Sequence, residues 1–181
     1  NARDAHILGH TMHVSFDPES QALTFHNDHA SIGRETLILG VTTKRGDSAS
    51  AGEMGEGYKV AAEAAMEHDI GFVMLNGEGE RWTFQSGWSD DFNTDLLQVV
   101  VEDVDKHDGV TVTLTGITEE QWLDARSRLR FLGDEEDEQV HVSNDNGSIL
   151  IGDDVVGQLY VKGIWVCKLH GKNWTFGYDL N

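Results

Sequence analysis

The stretch GEMGEGYKVAAEAA, residues 52–65, sets Gly52, Gly55 and Gly57 ahead of Lys59 and an alanine-rich run. Alanine is the strongest helix former, so residues 58–68 are expected to be helical. Val60, Ala61, Ala64 and Ala65 recur at helical spacing and predict a narrow, small-residue face that packs closely on a sheet. Glycines at a helix entrance let backbone N–H groups approach an anion, and the helix N-terminus favours negative charge. The same residues also suit an ordinary turn ahead of a helix. Residues 40–57 form a long polar, Gly/Ser-rich loop, and loops of that size inside a domain are usually functional.

The surrounding composition limits what such a site can be. The chain has 181 residues, 32 acidic and 13 basic, for a formal charge of −19. That length fits one domain, or one domain and the start of another. A chain so acidic does not wrap nucleic acid by itself, because phosphate contact needs clustered Lys and Arg. It also repels a free nucleotide at long range, so an anion site must be built locally from backbone dipoles and a few cations. A solvated acidic surface is the plain account of the charge, with salt adaptation and a DNA-mimicking surface as lesser alternatives. Cys167 is the only cysteine, which excludes an internal disulfide and a cysteine zinc cage and makes a reducing compartment the default. No apolar run approaches the roughly 20 residues of a membrane span. The chain opens on Asn1 and runs straight into motif-like sequence, as a fragment would.

Periodicity places the elements. Residues 11–16 and 22–26 read as a hairpin, with DPES (17–20) and the single proline, Pro18, as its turn. Ser31 caps a predicted short helix over 32–39. Strands are expected at 70–75, 80–85, 96–103 and 109–117, with NGEGE (76–80) as the first turn. TEEQ (118–121) is a capping box that starts a helix through WLDARSRLRFL. GDEEDE (133–138) is an acidic connector, and the remainder is β-rich and punctuated by glycine. This order predicts an α/β protein, an α+β two-layer sandwich with a mostly antiparallel or mixed sheet and helices on one face. The expected division is 1–133 and 134–181.

Two common phosphate motifs fail. Gly52 and Gly57 have Walker A spacing, but Tyr58 stands where the lysine belongs. Gly55 and Gly57 lack the third Rossmann glycine, since Val60 occupies it. What fits is G-x-x-G-x-G-x-K, read from Gly52, Gly55, Gly57 and Lys59. Around it, NARDA matches the second half of E-x-x-x-N-x-x-D-A through Asn1, Asp4 and Ala5. LTFHNDHA lies where a D-x-G box follows a hairpin strand, and DGVTVTL lies where a Gly-Thr enters a strand. In this order the motifs resemble those of the GHKL superfamily, the Bergerat-fold ATPases that include MutL, gyrase B, heat-shock chaperone ATPases, histidine kinases and MORC proteins. The resemblance covers roughly residues 1–130. The tail resembles a segment of microbial and phage-type GHKL proteins, and the start of a transducer-like domain.

The resemblance implies ATP and Mg²⁺ as cofactors and a Bergerat-type sheet. It implies that Asn1 holds the metal against the triphosphate and that Asp4 supports that helix near the nucleotide. Asn27 or Asp28 would accept the adenine amine, with His29 on the family's glycine position. Backbone amides at Gly52, Gly55 and Gly57 would reach the phosphates, and Lys59, or Lys44 with Arg45, would neutralise them. Gly109 and Val110 stand at the Gly-Thr pair, so a threonine contact is lost or comes from Thr111. The family's general base, a Glu, would precede Asn1. The implied activity is nucleotide-driven lid closure and ATP hydrolysis in the intact protein, with homodimerisation, a further protein partner, and a cytoplasmic setting in a microbial or phage-infected cell. The competing reading is a degenerate Bergerat fold kept as an acidic protein-interaction module without turnover. Other constellations are weaker. His6 and His10 have i, i+4 spacing but no H-E-x-x-H, no nucleophile elbow is present, and DVDKHDG (103–109) lacks the calcium-loop register.

Overall fold

Apolar and polar residues alternate along MHVSFD and ALTFHN, and a computed structural model makes both of them strands, β1 (Met12–Asp17) and β2 (Ala22–Asn27). They pair antiparallel, Met12 opposite Asn27 and Asp17 opposite Ala22. The turn between them is closed by the Asp17 carboxylate, which accepts the backbone N–H of Glu19 and the hydroxyl of Ser20. The structure describes residues 11–37, 57–133, 139–171 and 173–181. It falls into two units, Asn1–Glu119 and Glu120–Asn181.

The first unit adds β3 (Gly71–Asn76), β4 (Glu80–Ser89), β5 (Thr94–Asp103) and β6 (Val110–Thr115). They complete a six-stranded sheet in the order β1-β2-β6-β3-β4-β5, antiparallel at every step. A short 3-10 helix (Arg34–Leu37) and α1 (Gly57–Glu67) are its helical elements among the described residues. The core forms where α1 meets one face of the sheet. Tyr58 and Ala62 pack with Phe72, Met74, Trp82 and Phe84, and Val110, Val112 and Leu114 lie against them. Trp82 is fully buried, and Phe84 meets Phe72 and Tyr58 edge to face at centroid distances of 5.0 and 6.1 Å.

α1 is rotated from the predicted face. Tyr58, Ala62 and Ala65 face the sheet, while Val60 is 61% exposed and Ala61 and Ala64 are also exposed. The cause is the Tyr58 hydroxyl, which donates to the carbonyl of Thr36 at 2.7 Å and lies 3.2 Å from its Oγ1. A buried ring with a satisfied hydroxyl outweighs the smaller Val60, which takes solvent instead.

The second unit carries α2 (Glu119–Ser127), a 3-10 turn (Arg130–Leu132), and β7 (Val140–Asn144), β8 (Gly147–Leu150), β9 (Gln158–Val161), β10 (Ile164–Lys168) and β11 (Gly177–Leu180). Its sheet runs β10-β9-β11-β8-β7 and is mixed, because β11 pairs parallel with β9. Lys162 and Gly163, both at positive φ, form the tight β9–β10 turn. Leu150, Val155 and Tyr160 make a small core, over which the Arg130 guanidinium stacks 5.2 Å from the Tyr160 ring. The chain is thus a mixed α/β protein with two sheets and few helices. No helix among the described residues is long and apolar enough to cross a membrane.

The rotation of α1 makes a direct prediction. Tyr58→Phe is expected to lower stability by about 1 kcal/mol through the lost hydroxyl bond, whereas Val60→Ala shifts it by less than about 0.5 kcal/mol. Urea unfolding of the two variants checks the ordering, and a larger loss at Val60 would contradict the assigned face.

Candidate functional site

β2 ends on Asn27, and β6 begins on Val110 directly opposite it. Residues opposite one another share a face, so Asn27 lies with Val110 on the face that α1 covers. Asn27 is only 6% exposed. The approach of the two strands is set at Gly109, whose φ is +73°. A Cβ there would stand 2.1 Å from the Asn27 carbonyl oxygen and 3.1 Å from the Asp28 Cα. Only glycine fits.

Asp28 goes the other way. Its Oδ1 lies 2.9 Å from His26 Nε2 and its Oδ2 lies 3.3 Å from His13 Nε2. His13 and His26 are cross-strand partners on the face away from α1, their rings stacked 6.2 Å apart at 26°. His26 Nδ1 lies 2.8 Å from Thr111 Oγ1. Partial burial acts to raise the Asp28 pKa, but the hydrogen bonds and charges of the two histidines outweigh it and hold the carboxyl below its ordinary value. Thr111 is therefore engaged on the opposite face, and the position beside Asn27 is filled by the Val110 side chain. His29 follows at φ +57°, a left-handed backbone that glycine prefers. Its ring turns outward, with Nδ1 3.0 Å from Asp108 Oδ1, so it does not crowd the Gly109 approach.

A second polar group shares the helix-covered face. Asn76 ends β3, and the β3–β6 register, Leu75 opposite Thr111, carries it to the other flank of Val110. It is 1% exposed. Its Oδ1 accepts the Glu80 backbone N–H at 3.0 Å, and its Nδ2 donates to the Glu80 carboxylate at 2.9 Å and to the Ile32 carbonyl at 3.4 Å. Glu80 also accepts from the Trp82 indole at 2.8 Å and pairs with Arg34. The Trp82 bond, followed by those from Asn76 and Arg34, holds the Glu80 carboxyl below its ordinary value against the opposing effect of partial burial. This network ties strand end, turn and 3-10 helix together. The sequence reading took NGEGE only as a turn and missed it; an Asn directly after an apolar strand, four residues before a Glu, was the available signal.

Gly57 is the first residue of α1 and is exposed, so the helix N-terminus opens there. Lys59 is 7% exposed, with Nζ 5.7 Å from the Tyr58 ring centroid. Asn1, Asp4, Lys44, Gly52 and Gly55 lie outside the described residues. Of the predicted site residues, Asn27 and Lys59 are thus buried, Gly57 opens α1, and Asp28 sits with the histidines. Among the described residues no group of three or more His, Cys, Asp or Glu side chains is placed to hold a metal ion.

No family model matches the chain. No curated protein matches it. Among solved structures it is similar to the ATPase region of Saccharomyces cerevisiae topoisomerase II, with TM-score 0.45 and 11% identity, covering 91% of this chain and 59% of that one. It is similar also to the dexrazoxane-bound form of that region, with TM-score 0.44 and 10% identity, covering 88% and 58%. The chain therefore spans less than two thirds of the length of those ATPase regions.

Two substitutions separate the backbone demands of this site. Gly109→Ala is expected to cost at least about 2 kcal/mol, from the left-handed φ and the clash with the Asn27 carbonyl. His29→Gly is expected to change stability by less than about 1 kcal/mol, since relief of the left-handed backbone offsets an exposed Asp108 contact. Chemical denaturation reads both. The Glu80 network adds a pH dependence. A carboxyl whose folded pKa is depressed contributes stability that is fully present above its unfolded pKa and is lost as pH falls through the folded value. Melting temperature is accordingly expected to fall below about pH 4, and Glu80→Gln to flatten that part of the profile; an unchanged acid limb would refute the assignment.

Proposed function

We propose that this chain is a Mg²⁺-dependent ATP-binding domain of the GHKL type, whose lid closes on nucleotide and whose intact form hydrolyses ATP. The observation that carries the reading is the placement of Asn27. It is a buried polar side chain at the end of a hairpin strand, on the helix-covered face, beside the close approach of Gly109 and two residues before a left-handed position. That is the setting the D-x-G box and the Gly-Thr pair require, with a left-handed residue where the family has glycine. Asn27 rather than Asp28 is the adenine acceptor in this reading, because an amide oxygen can accept from the exocyclic amine while Asp28 is committed to His13 and His26. The start of α1 at Gly57 supplies N–H donors for phosphate. The residues present fit a nucleotide in these respects, with Asn1 as the proposed Mg²⁺ ligand, Asp4 supporting its helix near the nucleotide, and Gly52, Gly55 and Lys44 completing the anion site. When bound, Mg²⁺ would neutralise charge between phosphate oxygens.

Two observations favour the competing reading, an acidic interaction module of the same fold without turnover. Lys59, the cation nearest the glycines in sequence, is buried, and Val110 puts a methyl-bearing side chain where a hydroxyl is expected.

Thermal shift and calorimetry with ATP, with and without Mg²⁺, decide between them. The nucleotide reading expects a Mg²⁺-dependent rise in melting temperature equivalent to about 2.7 kcal/mol at a hundredfold excess over Kd. Asn27→Ala and Gly57→Val should abolish most of that rise at unchanged unliganded fold. A rise insensitive to both substitutions, or none at millimolar ATP, overturns the reading.

A further inference from the structure

β5 is the outer strand of the six-stranded sheet, and among the described residues it pairs with β4 alone. The pairing is unbroken from Ser89–Thr94 to Glu80–Asp103, with no bulge. A row of unpaired N–H and C=O groups along such an edge is a template for another strand. Proteins usually blunt it with short strands, proline, lysine or bulges. β5 has ten residues, TDLLQVVVED, and none of these devices. On its face away from α1, Leu96 and Val100 are 39% and 41% exposed. Beyond Phe84, the last β4 residue paired with β3, the β4–β5 ribbon continues as two strands only. A two-stranded ribbon is marginal by itself and gains by adding a third strand.

What the edge does carry is charge, and its placement selects the partner. Asp95 sits near one end, Glu102 and Asp103 at the other, and the middle is apolar apart from Gln98. If two copies paired antiparallel about Val99, Asp95 of one would oppose Asp103 of the other. Like charges directly opposite destabilise a pair, and each chain brings a net charge of −19. The same acids attract a strand with cationic ends. We propose that β5 is a docking edge for an extended basic polypeptide segment, which adds to the sheet as a seventh strand. Main-chain hydrogen bonds would hold it, apolar side chains would cover Leu96 and Val100, and Lys or Arg near its ends would meet Asp95 and Asp103.

The test uses the whole chain and a fluorescein-labelled peptide, KVTVTVTVK. Two controls accompany it: EVTVTVTVE, and the cationic peptide N-methylated at alternate residues so that it cannot donate along one edge. Fluorescence anisotropy is expected to show saturable binding of the cationic peptide that weakens with salt, and binding roughly tenfold or more weaker for both controls. Amide exchange over 94–103 should slow on binding. Val100→Lys should weaken the cationic peptide by a similar factor with an unchanged melting temperature. Equal binding of the N-methylated peptide, or exchange at 94–103 unaltered by peptide, overturns the proposal. So does no binding at about 1 mM peptide. Protection of 94–103 that grows with protein concentration alone would assign the edge to a second copy instead, and protection already complete in dilute free protein would assign it to the chain itself.

Discussion

The contact on which the first unit depends is the approach of Gly109 to the Asn27 carbonyl, where a Cβ would stand 2.1 Å from the oxygen. It pins the start of β6 against the end of β2, and strand pairing has a period of two. A slip of one residue would move every side chain of β6 to the other face. In the observed register Val110, Val112 and Leu114 point to α1, and Thr111 and Thr113 point away. The same register decides the neighbouring polar residues. Asn27 is carried under the helix, whereas His26, opposite Thr111, joins His13 and Asp28 outside. One glycine thus sorts two adjacent residues, Asn27 and Asp28, into different chemical settings.

That sorting explains what was legible in the sequence. The strands were legible because alternation is a local signal, and β1, β2, β3 and β6 fall within a residue or two of the expected positions. α1 was legible from its alanines and its glycine entrance. Its face was not, because rotation was set by Thr36, 22 residues upstream, whose carbonyl accepts the Tyr58 hydroxyl. Hydropathy ranks Val60 above Tyr58 and has no access to that bond. The choice between Asn27 and Asp28 was left open for a related reason: the residues are adjacent, and only cross-strand register assigns their faces. The Asn76–Glu80 network was missed because Arg34 and Ile32 reach it from more than 40 residues away, while NGEGE read locally is only a turn.

The cations show how an acidic chain keeps order with few of them. Arg34 is spent on Glu80 and lies 3.9 Å from Asp103. In the second unit Arg130 bonds Gln139, lies 3.8 Å from Asp179 and covers Tyr160, and Arg128 pairs with Asp124 and stacks 5.1 Å from Trp165. These cations hold the fold and cover aromatic faces. An anion brought to such a surface meets a repulsive field at long range and finds compensation where backbone N–H groups converge.

Such a field acts in opposite senses on the two kinds of partner considered. In the proposed function a nucleotide would come with its metal, because Mg²⁺ offsets about half of the triphosphate charge before close approach and leaves the helix N-terminus to make short-range contacts. A basic strand needs no such escort, since the repulsion that keeps two acidic copies apart draws it to the sheet edge. The acid at the ends of β5 and the glycine at the start of β6 therefore do comparable physical jobs. Each forbids one close approach, of a like-charged strand in the first case and of any side chain in the second, and by doing so leaves room for another.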